Sequence, residues 1–95
     1  MHKERAVIYG IGNLYREMKE RIEERYEVIA KVDRDLSKSD KIVSLKEALL
    51  MEHDRILIMM TDIKSCFDVV NRLIKEHNVP SKKICLGINY QQNRE

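Results

Sequence analysis

The sequence is short of the residues that build special structures. Among 95 residues it has no tryptophan, one phenylalanine, one proline, three glycines and two cysteines. Cys66 and Cys85 have neither C-x-x-C spacing nor a disulfide-rich context, so they read as reduced thiols in a cytoplasmic protein. The longest apolar run, Ile56 to Met60, has five residues, far below the roughly 20 that a membrane-spanning helix requires. The polar start, Met1 to Arg5, leads straight into an apolar strand pattern and has no secretory signal. An excess of charge of one sign is also missing. Eighteen Lys and Arg face sixteen Asp and Glu, and the net charge is +2. The two signs are interleaved, which excludes the basic stripe that a phosphate backbone needs. There is no internal repeat and no low-complexity segment.

What is present is one globular domain. Apolar residues make up 43% and charged residues 36%, which is too apolar and too balanced for disorder. A chain of this length buries roughly 60–65% of its unfolded surface. That allows one modest core and excludes an enzyme with separate nucleotide and substrate domains on this chain. Ala6 to Tyr9 is a short β-branched and aromatic run closed by Gly10. Ile11, Leu14, Tyr15, Met18, Ile22 and Tyr26 then recur at helical spacing with charged residues between them. Glu27 to Asp33 reads as a second strand, Asp35 to Asp40 as a polar loop, and Lys41 to Val43 as a short third strand. Ser44-Leu45-Lys46-Glu47 has capping-box spacing and predicts a short helix running to Glu52. Arg55 to Met60 lacks polar alternation after Arg55, as a central parallel strand does. Thr61 or Asp62 is positioned to cap a further helix, with the stripe Ile63, Cys66, Phe67, Val70, Leu73 or Ile74, and His77. Asn78-Val79-Pro80 stops that helix, Ile84 to Ile88 is the last strand, and residues 89–95 form a polar tail.

Strands separated by helices favour a parallel sheet with right-handed crossovers. The expected fold is therefore α/β: a three-layer, Rossmann-like parallel sheet of order 3-2-1-4-5 with helices on both faces. Ligands of such sheets sit at the carboxyl ends of the strands, where the strand order reverses. Gly10-Ile11-Gly12-Asn13 lies there, after the first strand, and Asp33 ends the second strand 21 residues after Gly12. Glycines let a diphosphate approach backbone N–H groups at the positive end of a helix, and an acid at this spacing accepts from ribose hydroxyls. The bland alternative is a glycine turn beside a solvated loop aspartate. The third glycine of a G-x-G-x-x-G pattern is replaced by Tyr15, which must pack beside the sheet or point to the pocket mouth.

The segments Val7-Ile8-Tyr9-Gly10-Ile11-Gly12-Asn13, Tyr26 to Asp35, and Asn78-Val79-Pro80-Ser81-Lys82-Lys83-Ile84 resemble a small bacterial Rossmann-like domain. That domain occurs in polysaccharide-biosynthesis proteins, beside glycosyltransferases and sugar-nucleotide enzymes. The resemblance runs from residue 5 to about residue 88. It implies phosphate contacts at Gly10, Gly12 and Asn13, with Ile11 inside the turn. It also implies ribose contact at Asp33, and Thr61 lining the crevice.

Asp33 repels a 2′-phosphate, so NAD or a nucleotide-sugar is favoured over NADP. S-adenosylmethionine also fits a glycine turn followed by an acid, although a methyltransferase catalytic domain needs a longer chain. Arg34 is placed to stack on a base or reach a phosphate, and a solvated loop arginine is its alternative reading. His2, His53 and His77 have no metal-site spacing. Cys66, Cys85, Met51, Met59 and Met60 read as core or interface. No acid–base pair for hydride transfer or sugar chemistry is present. The expectation is a single domain over residues 1–95, either a fragment of a larger enzyme or a module whose chemistry belongs to a catalytic partner. It binds a nucleotide, has no nucleic-acid or membrane role, and its oligomeric state is open. The alternative is a ligand-free interaction or oligomerisation module on a degenerate version of the same fold.

Overall fold

The computed structural model describes residues 3–33 and 42–87. Its strands are β1 (Glu4–Tyr9), β2 (Tyr26–Val32), β3 (Arg55–Ile58) and β4 (Ile84–Leu86). Its helices are α1 (Asn13–Arg25), α2 (Leu45–Leu50) and α3 (Ile63–His77). The four strands form one parallel sheet in the order β2-β1-β3-β4. The third strand expected at residues 41–43 is represented by a single parallel bridge, Ile42 to Lys31. The last strand, expected to run from Ile84 to Ile88, ends at Leu86, and Gly87 is already outside it; the polar loop at 35–40, Lys41, Ile88 and the tail at 89–95 lie outside the described residues.

Two apolar clusters lie on opposite faces of the sheet. Leu14, Tyr15, Met18 and Ile22 of α1 pack with Ala6, Ile8, Tyr26, Leu57 and Met59. Cys66, Val69 and Leu73 of α3 and Ala48 of α2 pack with Val7, Tyr9, Ala30, Val32, Ile56 and Ile58. Side chains of β1 and β3 therefore alternate strictly between the two helical layers, and both strands are buried on both faces. This accounts for their unbroken apolar runs.

β2 does not alternate so simply. Ala6 pairs with Val28 but Val7 pairs with Ala30, so Ile29 is an extra residue in the ladder. Tyr26 and Val28 face α1, whereas Ala30 and Val32 face the other layer. One extra residue in a period-two strand exchanges its faces. Lys31 is thereby turned towards the α1 side, where its Nζ stands over the Tyr15 ring.

Several expected boundaries are corrected. Tyr26 does not end the first helical stripe but opens β2, with no loop between helix and strand. It takes the extended conformation while its N–H still donates to Ile22 O. The short helix α2 stops at Leu50 rather than Glu52, because Met51 is already extended. Only half of the expected capping box forms. Ser44 Oγ accepts from the Glu47 N–H at 3.1 Å, while the Glu47 carboxylate accepts from the Ser44 hydroxyl at 3.2 Å instead of the backbone. Asp62, not Thr61, is the N-cap of α3. Its side chain makes no capping bond to the backbone, but accepts from the Ser65 hydroxyl at 2.6 Å. That bond lowers the Asp62 pKa.

The inward stripe of α3 is also offset from expectation. Cys66, Val69 and Leu73 are buried, whereas Ile63 is 57% and Phe67 56% exposed and Ile74 is exposed as well. The apolar surface of this helix is wider than the sheet beneath it can cover. The helix ends as expected, on Asn78 in the left-handed conformation at φ 56°.

Candidate functional site

The site begins where the ladder between β1 and β2 runs out. The Gly10 N–H donates to Val32 O at 2.7 Å, one step past the last strand pair. Gly10 takes φ +93°, a conformation that favours glycine. A Cβ there would stand 3.1 Å from Met59 O and 3.2 Å from Met60 Cγ, so the turn presses against the end of β3. The next amide finds no backbone acceptor. The Ile11 N–H instead donates to Asp33 Oδ2 at 2.9 Å. The aspartate carboxylate extends the ladder by one rung, and this bond draws the glycine turn over the end of β2.

Gly12 then caps α1 without a side chain to bond the first helical amides, and the first turn carries no acid. The positive end of that helix faces the same edge of the sheet. Asn13 is exposed at its first position. Thr61 is exposed just past β3, at the same carboxyl edge. Of the expected residues, Ile11 and Asp33 are joined by a direct bond, and Gly10, Gly12 and Asn13 stand beside Ile11 in the same turn. Thr61 shares their edge, with Met59 and Met60 closest to Gly10. Arg34 lies outside the described residues.

Tyr15 resolves into one of its two expected positions. It packs beside the sheet, 4% exposed, in the α1 cluster. Lys31 Nζ stands over its ring at 5.4 Å, and its hydroxyl has no hydrogen-bond partner among the described residues. Burial, followed by the charge of Glu23, raises its pKa. Where a third glycine would let the helix lie tight on the sheet, a full aromatic ring fills the space.

Three residues of this edge were not singled out as site residues by the sequence. Met59 is buried, and Met60 is half-buried against Gly10. Gly87 follows β4, and a Cβ there would stand 2.6 Å from Met59 Sδ and 3.0 Å from Ile58 O. A glycine directly after a strand was the available signal, the same one that marked Gly10. Cys66 supports this floor, since its thiol donates to Met60 O at 3.2 Å. Burial, with the Asp62 charge second, raises the thiol pKa, so Cys66 is protonated at neutral pH. Burial likewise raises Cys85.

Among the described residues no three of His, Cys, Asp or Glu gather as metal ligands, and no helix is long and apolar enough to cross a membrane. The arrangement is that of a parallel α/β domain with a glycine turn and an aspartate at the carboxyl edge of its sheet. The chain belongs to the C2185-like, N-terminal family, whose sequence profile matches residues 2–85. No curated protein matches the chain.

Proposed function

We propose that this domain is a nucleotide-binding accessory module, taking NAD or a nucleotide-sugar, that serves a catalytic domain or partner protein in polysaccharide or sugar-nucleotide metabolism. The observation that carries the reading is the glycine turn at the end of β1, hung on Asp33 at the end of β2 by the 2.9 Å Ile11 bond. In this reading the amides at Gly12 and Asn13 face the phosphates, Gly10 shapes the turn with its own N–H on Val32 O, and Asp33 faces the ribose hydroxyls. Thr61 closes the β3 side. The Lys31–Ile42 bridge is then the remnant of a fifth strand. Counted as a strand, it would complete the Rossmann-like order 3-2-1-4-5, in which a crevice lies where the strand order reverses. The resemblance to domains of bacterial polysaccharide-biosynthesis proteins supports the choice of ligand, and a cytoplasmic location accords with two free cysteines.

Titration calorimetry with NAD, UDP-glucose and S-adenosylmethionine tests the proposal. Saturable binding of one of them is expected, and three null results on folded protein overturn it. Gly12→Ala refines the test. Gly12 has φ −85° and ψ −149°, outside the left-handed region, and the variant, with its fold checked by thermal unfolding, is expected to bind more weakly.

A second reading has its own observation. Tyr15 fills the place of the third glycine and Met60 abuts Gly10, as in a ligand-free interaction module. Under that reading Asp33→Ala and Gly12→Ala leave the activity of the assembly unchanged.

A further inference from the structure

We infer that Met60 is a specificity-determining residue of the crevice: its side chain lies on the glycine turn as a movable cover, and a nucleotide seats against Gly10 only after that chain has swung away. The strand ends set this up. The Met59 N–H donates to Tyr9 O at 2.8 Å, one rung past the last pair between β1 and β3. The Met60 carbonyl accepts from the Cys66 thiol at 3.2 Å. The main chain is thus held on both sides of the Met60 side chain. A Cβ on Gly10 would stand 3.2 Å from Met60 Cγ, so that side chain occupies the room that the missing Cβ leaves. Gly10 therefore serves two ends, the φ of +93° that the turn takes and the seat of the methionine.

The two methionines of this edge differ in freedom. Met59 is 2% exposed, and its Sδ and Cε lie within 2.6 and 3.0 Å of where a Cβ on Gly87 would be. It is locked in place. Met60 is half-buried at the rim of the cluster on the α3 side. Its unbranched side chain changes rotamer without moving the backbone. A thioether has no hydrogen-bond donor and is a weak acceptor, so it cannot replace the water that a phosphate or a ribose loses there. A polar ligand reaches the turn by displacing it. Half-burial of a methionine favours the covered state by about three- to tenfold, and a ligand that needs the uncovered state binds more weakly by the same factor. The inference rests on the nucleotide reading. Within that reading it gives the contact between Met60 and Gly10 a role, whereas the ligand-free alternative takes the same contact as a turn closed for good.

The test labels the methionine methyl groups of the whole chain with ¹³C and titrates NAD and UDP-glucose into the unsubstituted protein and into Met60→Ala. In the free protein a nuclear Overhauser contact is expected between the Met60 side chain and the Gly10 α-protons. With ligand bound, that contact is expected to vanish and the Met60 methyl resonance to shift. Met60→Ala removes the cover, so the better of the two compounds is expected to bind it about three- to tenfold more tightly than the parent. Equal or weaker binding by folded Met60→Ala overturns the inference. So does a contact between Met60 and Gly10 that is absent in the free protein or persists with ligand bound. If Met60→Ala fails to fold, that contact in the unsubstituted protein decides alone. Binding by both proteins with no gain in the variant sinks the inference and leaves the nucleotide reading standing, whereas no binding by either removes both.

Discussion

The two ends of the sheet use one device for different purposes. At the amino end, Asp54 Oδ2 accepts from the Arg5 N–H at 2.8 Å, just as Asp33 Oδ2 accepts from Ile11 at the carboxyl end. Both carboxylates supply a rung to β1 where a neighbouring strand is not yet, or no longer, in place. Their surroundings differ. Asp54 returns its own N–H to Arg5 O at 2.8 Å. The Arg5 guanidinium stands 3.9 Å from Asp54 Oδ2 and 3.1 Å from Glu52. Arg55 reaches Glu4 at 3.3 Å and the Lys82 carbonyl at 3.2 Å, and Lys83 reaches the His53 carbonyl at 3.2 Å. That end is closed by paired charges and long side chains. At the other end the described neighbours of the turn are glycines, methionines and the uncapped start of α1. One end is stitched for stability, while the other holds a turn in place and leaves helical amides without a side-chain cap. That contrast is what the proposed nucleotide site at the carboxyl end builds on.

The largest expected effect comes from breaking the turn itself. Gly10→Ala forces alanine to φ +93° and sets its Cβ 3.1 Å from Met59 O, which is expected to cost about 2–3 kcal/mol. Urea unfolding measures it, and a loss below about 0.5 kcal/mol would show that the turn is not held as described. The paired aspartates come next. Asp54→Ala and Asp33→Ala each leave a part-buried amide, Arg5 in β1 or Ile11 in the turn after it, without its acceptor, so each is expected to cost about 1–2 kcal/mol. Similar losses sharpen the comparison, whereas an Asp33→Ala variant as stable as the parent breaks it.

Tyr15→Phe removes a buried hydroxyl that has no partner. Stability is expected to stay level or rise by up to about 1 kcal/mol, and a clear loss in thermal unfolding would mean that the hydroxyl is bonded. Glu52→Gln weakens only an exposed pair, and its effect is expected to be at most about 0.5 kcal/mol and to shrink in high salt.

Much of this contrast was legible in the sequence at one end only. Gly10, Gly12 and Asp33 stood out because glycines after a strand and an acid 21 residues on form a pattern with a physical meaning. The helical spacing of Leu14, Met18 and Ile22 and the stop at Asn78 were equally readable. The phase of β2 was not. No glycine or proline at Ile29 announces an extra residue, yet it decides which face Lys31 occupies. Nor did the sequence show that the Asp33 carboxylate bonds the turn, because a side chain substituting for a strand carbonyl depends on where the ladder ends. The α3 stripe misled for a related reason. Ile63, Phe67 and Ile74 satisfy helical periodicity, but periodicity does not report how wide a surface the sheet offers. The aspartate at the amino end, Asp54, sat among ordinary charged residues and gave no signal.

The central claim is that the carboxyl end of the sheet, and not the amino end, receives a nucleotide. Amide chemical-shift mapping of the ¹⁵N-labelled chain with NAD and with UDP-glucose tests it most directly. The account predicts that one of the two shifts the amides of Gly10, Ile11, Gly12, Asn13, Asp33 and Thr61, while those of Arg5 and Asp54 stay still. Shifts centred on Arg5 and Asp54, or none at all with either compound at millimolar concentration, would contradict it.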